Sequence, residues 1–336
     1  MNRANRIYSR PGIFYIFLAL VFTQLEPTQA QVYFKADAGK DFRFGNQYLE
    51  RCFELKNDTW RTTWLVNKRT GHTWRVSSDE FRIRAVFERL GYWAGAENPL
   101  EISASSCVLH SYRIEPEKDG TRRLIATYHW EQGLSDGTGE NTDSRSPGLD
   151  IEVFYTLARD EPYMRKTLRV SCPEPGLYFI EELAVENMTV AGAAALHQGF
   201  GQPVYTEEMF FGLEYPAGNN RVDEQKRLEL FYYPGAEVGI RGVESYSAVW
   251  GAARWMRTRA AFLDYVKDIR IAPARPFLLY NTWYDMRTPE RAQSDKGETR
   301  QGDNLDHTNC LERIQSLKKN LVDHGIELNS FVLDEG

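Results

Sequence analysis

Two short clusters near the C-terminus combine acidic and aromatic residues. Trp283, Tyr284 and Asp285 follow one apolar run, and Asp334 and Glu335 follow another. Carboxylate oxygens accept hydrogen bonds from hydroxyl groups, and an aromatic ring offers an apolar surface to the C–H face of a pyranose. We therefore predict saccharide contacts at Asp334, Glu335, Trp283 and Asp285. The alternatives are a turn or helix cap for the acidic pair and core packing for the tryptophan.

These clusters lie at the ends of one predicted β-α-β unit. Residues 277–283 and 328–333 are short, nearly continuous apolar runs, as expected of strands buried on both faces. Between them, apolar residues at spacings of three and four predict a helix. Those residues are Cys310, Leu311, Ile314, Leu317, Leu321 and Val322. Thr308 or Asn309 is the predicted N-cap, and Gly325 the C-terminal cap glycine. Such a crossover joins parallel strands, whose carboxyl ends lie at one edge.

A single β-α-β unit cannot bury its own strands. Both apolar faces and the edges of the two strands would face water. The sequence therefore predicts that residues 272–336 are the start of a (β/α)8 TIM barrel, comprising one strand, one helix and a second strand. We expect the chain to be the N-terminal portion of a longer protein.

The preceding region, residues 31–271, is predicted to be a large antiparallel β-sandwich. Residues 81–87 alternate apolar side chains with arginines, and residues 63–67 and 73–76 form a predicted hairpin around Thr70-Gly71. Residues 151–157 and 163–172 form another hairpin, with one face apolar and one polar. The fold class is thus multi-domain, β followed by α/β.

The first 30 residues have the pattern of a secretory signal peptide. Arginines precede an apolar run at residues 13–22, and Thr28-Gln29-Ala30 matches a cleavage site. About ten apolar residues are too few to cross a bilayer, which takes ~20. We expect cleavage near Ala30, a secreted or periplasmic protein, and no membrane anchor.

Composition narrows the classes of partner and cofactor. The net charge is −6 over 336 residues, which argues against a nucleic-acid partner, since that would require a basic face. No cysteine or histidine cluster has metal-ligand spacing, so we expect neither a metal nor a cofactor. The chain has four cysteines, Cys52, Cys107, Cys172 and Cys310. One or two disulfides in several connectivities, or unpaired thiols, are equally compatible with them.

Two segments resemble the first two barrel strands of the family 36 α-galactosidases and their clan relatives. The family pattern is Asn-(Ser/Thr)-Trp in strand one and Asp-Asp-Gly-Trp in strand two. Here these motifs correspond to Asn281-Thr282-Trp283 and Asp334-Glu335-Gly336. Residues 153–166 and 210–216 are also similar to parts of the β-sandwich that precedes the barrel in those enzymes.

The resemblance implies a secreted, retaining glycoside hydrolase that acts on O-glycosidic bonds of an oligo- or polysaccharide. It implies that Asp334 and Glu335 hold sugar hydroxyls and that Trp283 lines the same pocket. Glu335 replaces the family's aspartate, so galactose is the leading sugar without being the only one. The nucleophile and the acid/base, ~5–5.5 Å apart in retaining enzymes, are implied on about the fourth and sixth barrel strands. We therefore assign no catalytic residue in this chain and expect the chain alone to be inactive.

Two other functions remain open on the sequence. The first is a non-catalytic carbohydrate-binding β-sandwich. The second is a mutarotase-like epimerase, which would need a histidine and a carboxylate in a sandwich cleft; the available histidines are His72, His110, His129 and His197. Glu214 and Tyr215 either reach over the barrel mouth or pack on the sandwich.

Overall fold

The computed structural model describes residues 31–37, 41–56, 59–87, 99–131, 147–175, 178–195, 199–273, 275–284, 286 and 305–334. The chain divides into two compact units, Met1–Lys267 and Asp268–Gly336. The first unit consists mostly of two large antiparallel sheets arranged as a sandwich. The domain assignment at residues 31–271 and 272–336 stays a prediction.

The larger sheet has eleven strands, and in its main path they follow the order β1-β2-β3-β4-β5-β12-β17-β16. Its strands are β1 (Tyr33–Asp37), β2 (Asp41–Gly45), β3 (Leu49–Lys56), β4 (Thr59–Asn67), β5 (His72–Ser78), β6 (Arg82–Phe87), β7 (Leu100–Ser103), β12 (Tyr178–Val190), β16 (Asn219–Val222), β17 (Arg227–Tyr232) and β18 (Ala236–Glu237). The predicted hairpin at residues 63–76 is confirmed, because β4 and β5 pair antiparallel. Gly71 lies at its turn with φ 77°, a left-handed conformation that glycine adopts without strain.

The second sheet has nine strands in the main order β13-β14-β15-β20-β11-β10-β9-β8. Its strands are β8 (Val108–Pro116), β9 (Arg122–Trp130), β10 (Leu149–Leu157), β11 (Tyr163–Ser171), β13 (Ala194–Ala195), β14 (Val204–Tyr205), β15 (Met209–Leu213), β19 (Val243–Glu244) and β20 (Ala248–Ala252). The predicted hairpin of residues 151–172 is confirmed as β10 and β11, with Val153 opposite Leu168.

The core of the sandwich contains side chains from both sheets. Trp60 on β4 has its ring centre 4.7 Å from that of Phe42 and 4.9 Å from that of Phe53. Phe53 in turn meets Tyr155 of the second sheet edge-on at 5.0 Å. Edge-on and tilted pairs of this kind contribute beyond the area that they bury. Aromatic side chains on the strands therefore connect the two sheets.

A helix that the sequence analysis did not predict covers part of the second sheet. Helix α1 (Thr258–Ile269) places Tyr265 with its ring 4.9 Å from that of Tyr163 and 5.3 Å from that of Phe210. Gly251 lies beneath the Phe210 ring, where an added Cβ would lie 2.1 Å from a ring carbon. The apolar stripe of this helix is short, and the strand-like alternation of the surrounding segments dominated the sequence pattern.

The second unit contains the predicted parallel β-α-β arrangement. Its elements are β21 (Leu279–Asn281), a 3₁₀ turn (Thr282–Tyr284), helix α2 (His307–Asn320), a 3₁₀ turn (Val322–His324) and β22 (Ser330–Val332). Strands β21 and β22 pair parallel, which confirms the predicted direction. The predicted N-cap was wrong: Asp306 caps α2 by accepting a hydrogen bond from the Asn309 backbone N–H at 2.8 Å. The C-cap of α2 is Leu321, and Gly325, with φ 79°, instead caps the 3₁₀ turn that follows the helix.

The described residues contain no barrel, and the second unit shows only these two paired strands. Leu311 and Ile314, on the apolar stripe of α2, are 45% and 44% exposed. In the part of the chain that the structure describes, neither α1 nor α2 has the length and apolar character of a membrane-spanning segment.

Candidate functional site at the ends of the parallel strands

The parallel pairing brings the two predicted site segments to one edge of the small sheet. Asn281 is the last residue of β21 and pairs with Val332, the last residue of β22. The residues that follow each strand are therefore neighbours, although more than 50 positions separate Thr282 from Asp334 along the chain. This neighbourhood is what the strand-end argument predicted.

Asn281 connects the two segments through its side-chain amide. Its Nδ2 donates a hydrogen bond to Asp334 Oδ2 at 3.1 Å. Its Oδ1 accepts a hydrogen bond from the Trp283 backbone N–H at 2.7 Å. With both ends of the amide engaged, the Asp334 carboxylate is held in a defined orientation relative to the turn that carries Trp283.

Thr282 provides a second link between the segments. The Asp334 backbone N–H donates to Thr282 Oγ1 at 2.9 Å, and that hydroxyl donates to the Asp334 carbonyl at 3.3 Å. The side chain of Thr282 is almost fully buried, at 1% exposure. Buried hydroxyls normally need such partners, so Thr282 positions the backbone of Asp334 and is itself out of reach of a ligand.

Of the four predicted contact residues, two lie within the described part of the chain. Asp334 follows β22, and half-buried Trp283 lies in the 3₁₀ turn after β21. Asp285 and Glu335 lie outside the described residues, so their roles stay predictions. Asn281 and Thr282 were missing from the predicted set, although polar residues that end an apolar run were a readable signal.

A second polar cluster lies in the sandwich core and joins its two sheets. This core network consists of Arg51 on β3, Glu186 on β12, Lys166 on β11 and Glu80 in the turn before β6. Arg51 donates to Glu186 Oε2 at 2.7 Å and to Glu80 Oε2 at 3.0 Å. Lys166 Nζ donates to Glu186 Oε1 at 2.8 Å and to Glu80 Oε2 at 3.2 Å. None of these side chains is more than 3% exposed.

Uncharged groups supply further hydrogen bonds to the core network. Thr62 Oγ1 accepts from Arg51 Nε at 2.6 Å, and Ser78 Oγ donates to Glu80 Oε1 at 2.9 Å. The Tyr155 hydroxyl donates to the other oxygen of Glu80. These partners matter because an unpaired polar group in a core costs about 1–3 kcal/mol, and more if it is charged.

The charges of the core network also affect the pKa of Glu80. Burial alone raises the pKa of the Glu80 carboxyl, but the nearby positive charges of Lys166 and Arg51 outweigh burial and hold that pKa well below its usual range. Two cations and two anions thus compensate each other inside the protein. With every member buried, no substrate can reach them, so we assign the network a role in folding.

Glu214 and Tyr215 both contact other parts of the sandwich. Glu214 Oε1 accepts from Arg165 Nε at 2.9 Å and from the Tyr265 hydroxyl of α1. The ring of Tyr215 stacks on that of Tyr246 at 4.0 Å, with only 4° between the planes. These contacts agree with the packing alternative for this segment.

Among the described histidines, those that lie near a carboxylate are partly exposed, at 47% for His72 and 29% for His129, rather than enclosed in a cleft as the epimerase alternative would need. His129 Nδ1 lies 2.7 Å from Asp150 Oδ1, on a carboxylate side chain that is 56% exposed. His72 stacks on Trp74 with ring centres 4.4 Å apart. His72 Nδ1 also lies 3.4 Å from Glu208 Oε2. His197 lies outside the described residues.

All four cysteines are unpaired thiols, which answers the question that the sequence left open. Cys107 and Cys172 are buried, whereas Cys52 and Cys310 are partly exposed. The thiol pKa of Cys107 is raised to about 12, chiefly by burial. A buried, protonated thiol behaves as a small apolar side chain.

No protein-family model and no curated protein matches this chain. Structural similarity to solved glycoside hydrolases nevertheless extends over most of the chain. The family 36 α-galactosidase AgaB from Geobacillus stearothermophilus is 10% identical, with a TM-score of 0.42, over 90% of this chain and 50% of its own. The α-galactosidase from Lactobacillus brevis is 11% identical, with a TM-score of 0.41, over 90% and 49%. The galactosidase domain of the α-galactosidase–sucrose kinase AgaSK is 8% identical, with a TM-score of 0.42, over 76% and 47%. The chain spans about half the length of these structures.

Proposed function

We propose that this chain is the N-terminal part of a secreted, retaining glycoside hydrolase of the α-galactosidase type. Its sandwich would precede a (β/α)8 barrel, of which β21, α2 and β22 are the first elements. The observation that carries the proposal is the parallel pairing that sets Asn281 and Trp283 beside Asp334. These are the positions at which the sequence resembles the sugar-binding strands of family 36 enzymes.

In this proposal, Asp334 accepts hydrogen bonds from sugar hydroxyls. A carboxylate has about four acceptor positions, so the hydrogen bond from Asn281 does not exhaust its capacity. Asn281 acts as a positioning residue that fixes the carboxylate, and the ring of Trp283 supplies an apolar surface for the sugar. Glu335 and Asp285, which follow the same two strands, would extend the contacts.

The chemical step is proposed to use residues on later strands of the barrel. Retaining hydrolysis needs a nucleophile and an acid/base on opposite sides of the bond. Asp334 and Glu335 are neighbours on one strand end and cannot lie on both sides of a glycosidic bond. Their role is therefore to hold the sugar while other carboxylates act on its linkage.

The test measures hydrolysis of aryl α- and β-galactosides by the protein expressed from its complete reading frame, alongside two variants. Asp334→Asn removes the charge but keeps the shape. Asp323→Asn is the matched control, because Asp323 is an exposed carboxylate of the same unit that pairs with Lys318. Hydrogen bonds to charged groups contribute about 1.5–3 kcal/mol, so we expect kcat/KM of Asp334→Asn to fall about 10- to 100-fold.

Two results would contradict the proposal. An Asp334→Asn enzyme with unchanged kcat/KM would remove Asp334 from the sugar site. A complete protein that binds saccharides without hydrolysing any glycoside would leave a non-catalytic carbohydrate-binding protein instead.

A further inference from the structure

The outer face of the larger sheet carries a groove with a cavity volume of about 510 Å³. This volume is within the range of about 300–1,000 Å³ that is usual for small-molecule sites. Strands β1 to β5 contribute its lining, which includes Arg43, Cys52, Trp64 and Thr73. The groove belongs to the first unit and shares no residue with the strand-end site.

The register of the sheet explains the shape of the groove. Arg43 on β2 pairs with Cys52 on β3, and Cys52 pairs with Trp64 on β4. Neighbouring strands are about 4.8 Å apart, so Arg43 and Trp64 are separated by about 10 Å across the sheet. The small Cys52 side chain forms the floor of the groove, with the Arg43 side chain on one side and the Trp64 ring on the other.

Trp64 is the main apolar surface of the groove. Its side chain is on the solvent side of β4 and is 40% exposed, whereas the next residue, Leu65, is fully buried in the core. The Arg75 guanidinium lies 5.9 Å from the ring centre and limits the orientations of the ring. A tryptophan fixed at the side of a groove can stack against the C–H face of a pyranose.

Polar groups around the ring suit hydroxyls. Thr73 lines the groove on β5, the strand next to Trp64. Asp41 lines it on β2 with Arg43, which is paired with Asp37 at 3.0 Å. Three carboxylates (Asp37, Asp41 and Glu50) line the groove against two nearby cations, Arg43 in the lining and Arg75 at the Trp64 ring, so an anionic ligand would meet a net negative charge. The Cys52 thiol on the floor is protonated, because burial and the neighbouring Glu50 carboxylate raise its pKa to about 12.

We propose that this groove is a binding site for a neutral oligo- or polysaccharide, separate from the strand-end site. The Trp64 ring would stack against one sugar residue, while Arg43 and Asp41 would hydrogen-bond its hydroxyls. The choice of a saccharide rests on the proposed function, whereas the position of the groove does not. Such a site would keep the protein on a polymer while the proposed barrel acts on its glycosidic bonds.

The experiment is native affinity electrophoresis of the 336-residue chain in gels that contain galactomannan, with polygalacturonate as the anionic comparison. Trp64→Ala removes the ring, and Arg43→Ala removes the opposite wall without touching the core. Trp255→Ala is the matched control, because Trp255 is 54% exposed and does not line the groove. Thermal unfolding of each variant shows whether it remains folded.

We expect galactomannan to retard the wild-type chain and polygalacturonate to leave its mobility unchanged. One aromatic stacking contact corresponds to a change in affinity of up to about tenfold. Trp64→Ala should therefore lower the apparent affinity by about tenfold, Arg43→Ala by a smaller factor, and Trp255→Ala should have no effect.

Three results would overturn the inference. In the first, galactomannan fails to retard the wild-type chain, and in the second it retards Trp64→Ala as much as the wild type. In the third, polygalacturonate retards the wild-type chain more than galactomannan does. A folded Trp64→Ala chain whose only change is a smaller oligomer in size-exclusion chromatography would identify the groove as an interface between copies and would also overturn it. The variant Asp334→Asn separates the two proposals. If it alone loses retardation, the proposed function stands and the groove site is rejected.

Discussion

Replacing Lys166 with methionine tests the core network that joins the two sheets. The Lys166 ammonium donates to Glu186 at 2.8 Å and to Glu80 at 3.2 Å, and its side chain is only 2% exposed. Methionine has a similar length and leaves little cavity, so the substitution removes the charge while the packing is largely kept. The network then holds two carboxylates and one guanidinium, with a net charge of −1 in the core.

The expected cost follows from these contacts. Two hydrogen bonds to charged groups contribute about 1.5–3 kcal/mol each, and removing one partner of a buried ion pair costs about 3–5 kcal/mol. We therefore expect Lys166→Met to lower the free energy of unfolding of the sandwich by about 3–5 kcal/mol. For a domain of this size, the loss corresponds to a Tm that is lower by about 6–20 °C.

The assay is urea unfolding of the 336-residue chain, followed by tryptophan fluorescence and, independently, by circular dichroism. Lys267→Met is the matched control, since Lys267 is 70% exposed and pairs with Asp264 on the surface of α1. Exposed pairs of this kind contribute about 0–1 kcal/mol. The double variant Lys166→Met with Glu186→Gln restores a neutral core and should be more stable than Lys166→Met alone.

The reasoning is refuted if Lys166→Met unfolds at the same urea concentration as the wild type with an unchanged slope. It is equally refuted if Lys267→Met loses as much stability as Lys166→Met. A double variant less stable than the Lys166→Met chain would show that charge imbalance is not the cause of the loss.

Three further predictions concern acid, packing and activity. The pKa of Glu80 is held below its usual range. Its contribution to stability is therefore complete above the unfolded-state pKa of about 4.3 and declines as the pH falls below that value. Urea midpoints should fall between pH 7 and pH 3, and Glu80→Gln should make that fall smaller. Gly251→Ala would place a Cβ 2.1 Å from the Phe210 ring and should cost about 1–3 kcal/mol. Gly212→Ala is its control on the neighbouring strand, with a contact no closer than 3.7 Å, and equal Tm values for the two variants would contradict the clash. The 336-residue chain alone should not hydrolyse an aryl α-galactoside, and turnover above a buffer blank, abolished by neutralising one of its carboxylates, would place catalytic residues within it.

Local pattern in the sequence was enough to predict the hairpins at residues 63–76 and 151–172 and the direction of the β-α-β unit. In β11, Met164, Lys166 and Leu168 alternate with polar residues, and all three are buried as that alternation requires. Side chains of a strand point to opposite faces in turn, so a period of two records which face meets the core. The strand ends near Asn281 and Asp334 followed from the same pattern, because parallel strands bring their carboxyl ends together.

Local pattern gave wrong predictions for one helix cap and for one whole helix. The helix cap moved from the predicted Thr308 or Asn309 to Asp306, since any polar residue near a helix start can accept the first backbone hydrogen bond. Helix α1 was missed because four apolar residues in one stripe are a weak signal beside many strands. In both cases, several local solutions were compatible with the same residues.

Only the tertiary structure decided which side chains meet. The alternation places Lys166 on the buried face but cannot identify what neutralises it there. Its partners come from a turn and from a strand of the other sheet, and Arg51 meets Glu186 across 135 residues of chain. The pairing of Asn281 with Asp334 and the groove between Arg43 and Trp64 have the same origin. Periodicity records whether a side chain faces water, whereas strand order and register, which depend on packing over the whole domain, determine its neighbours.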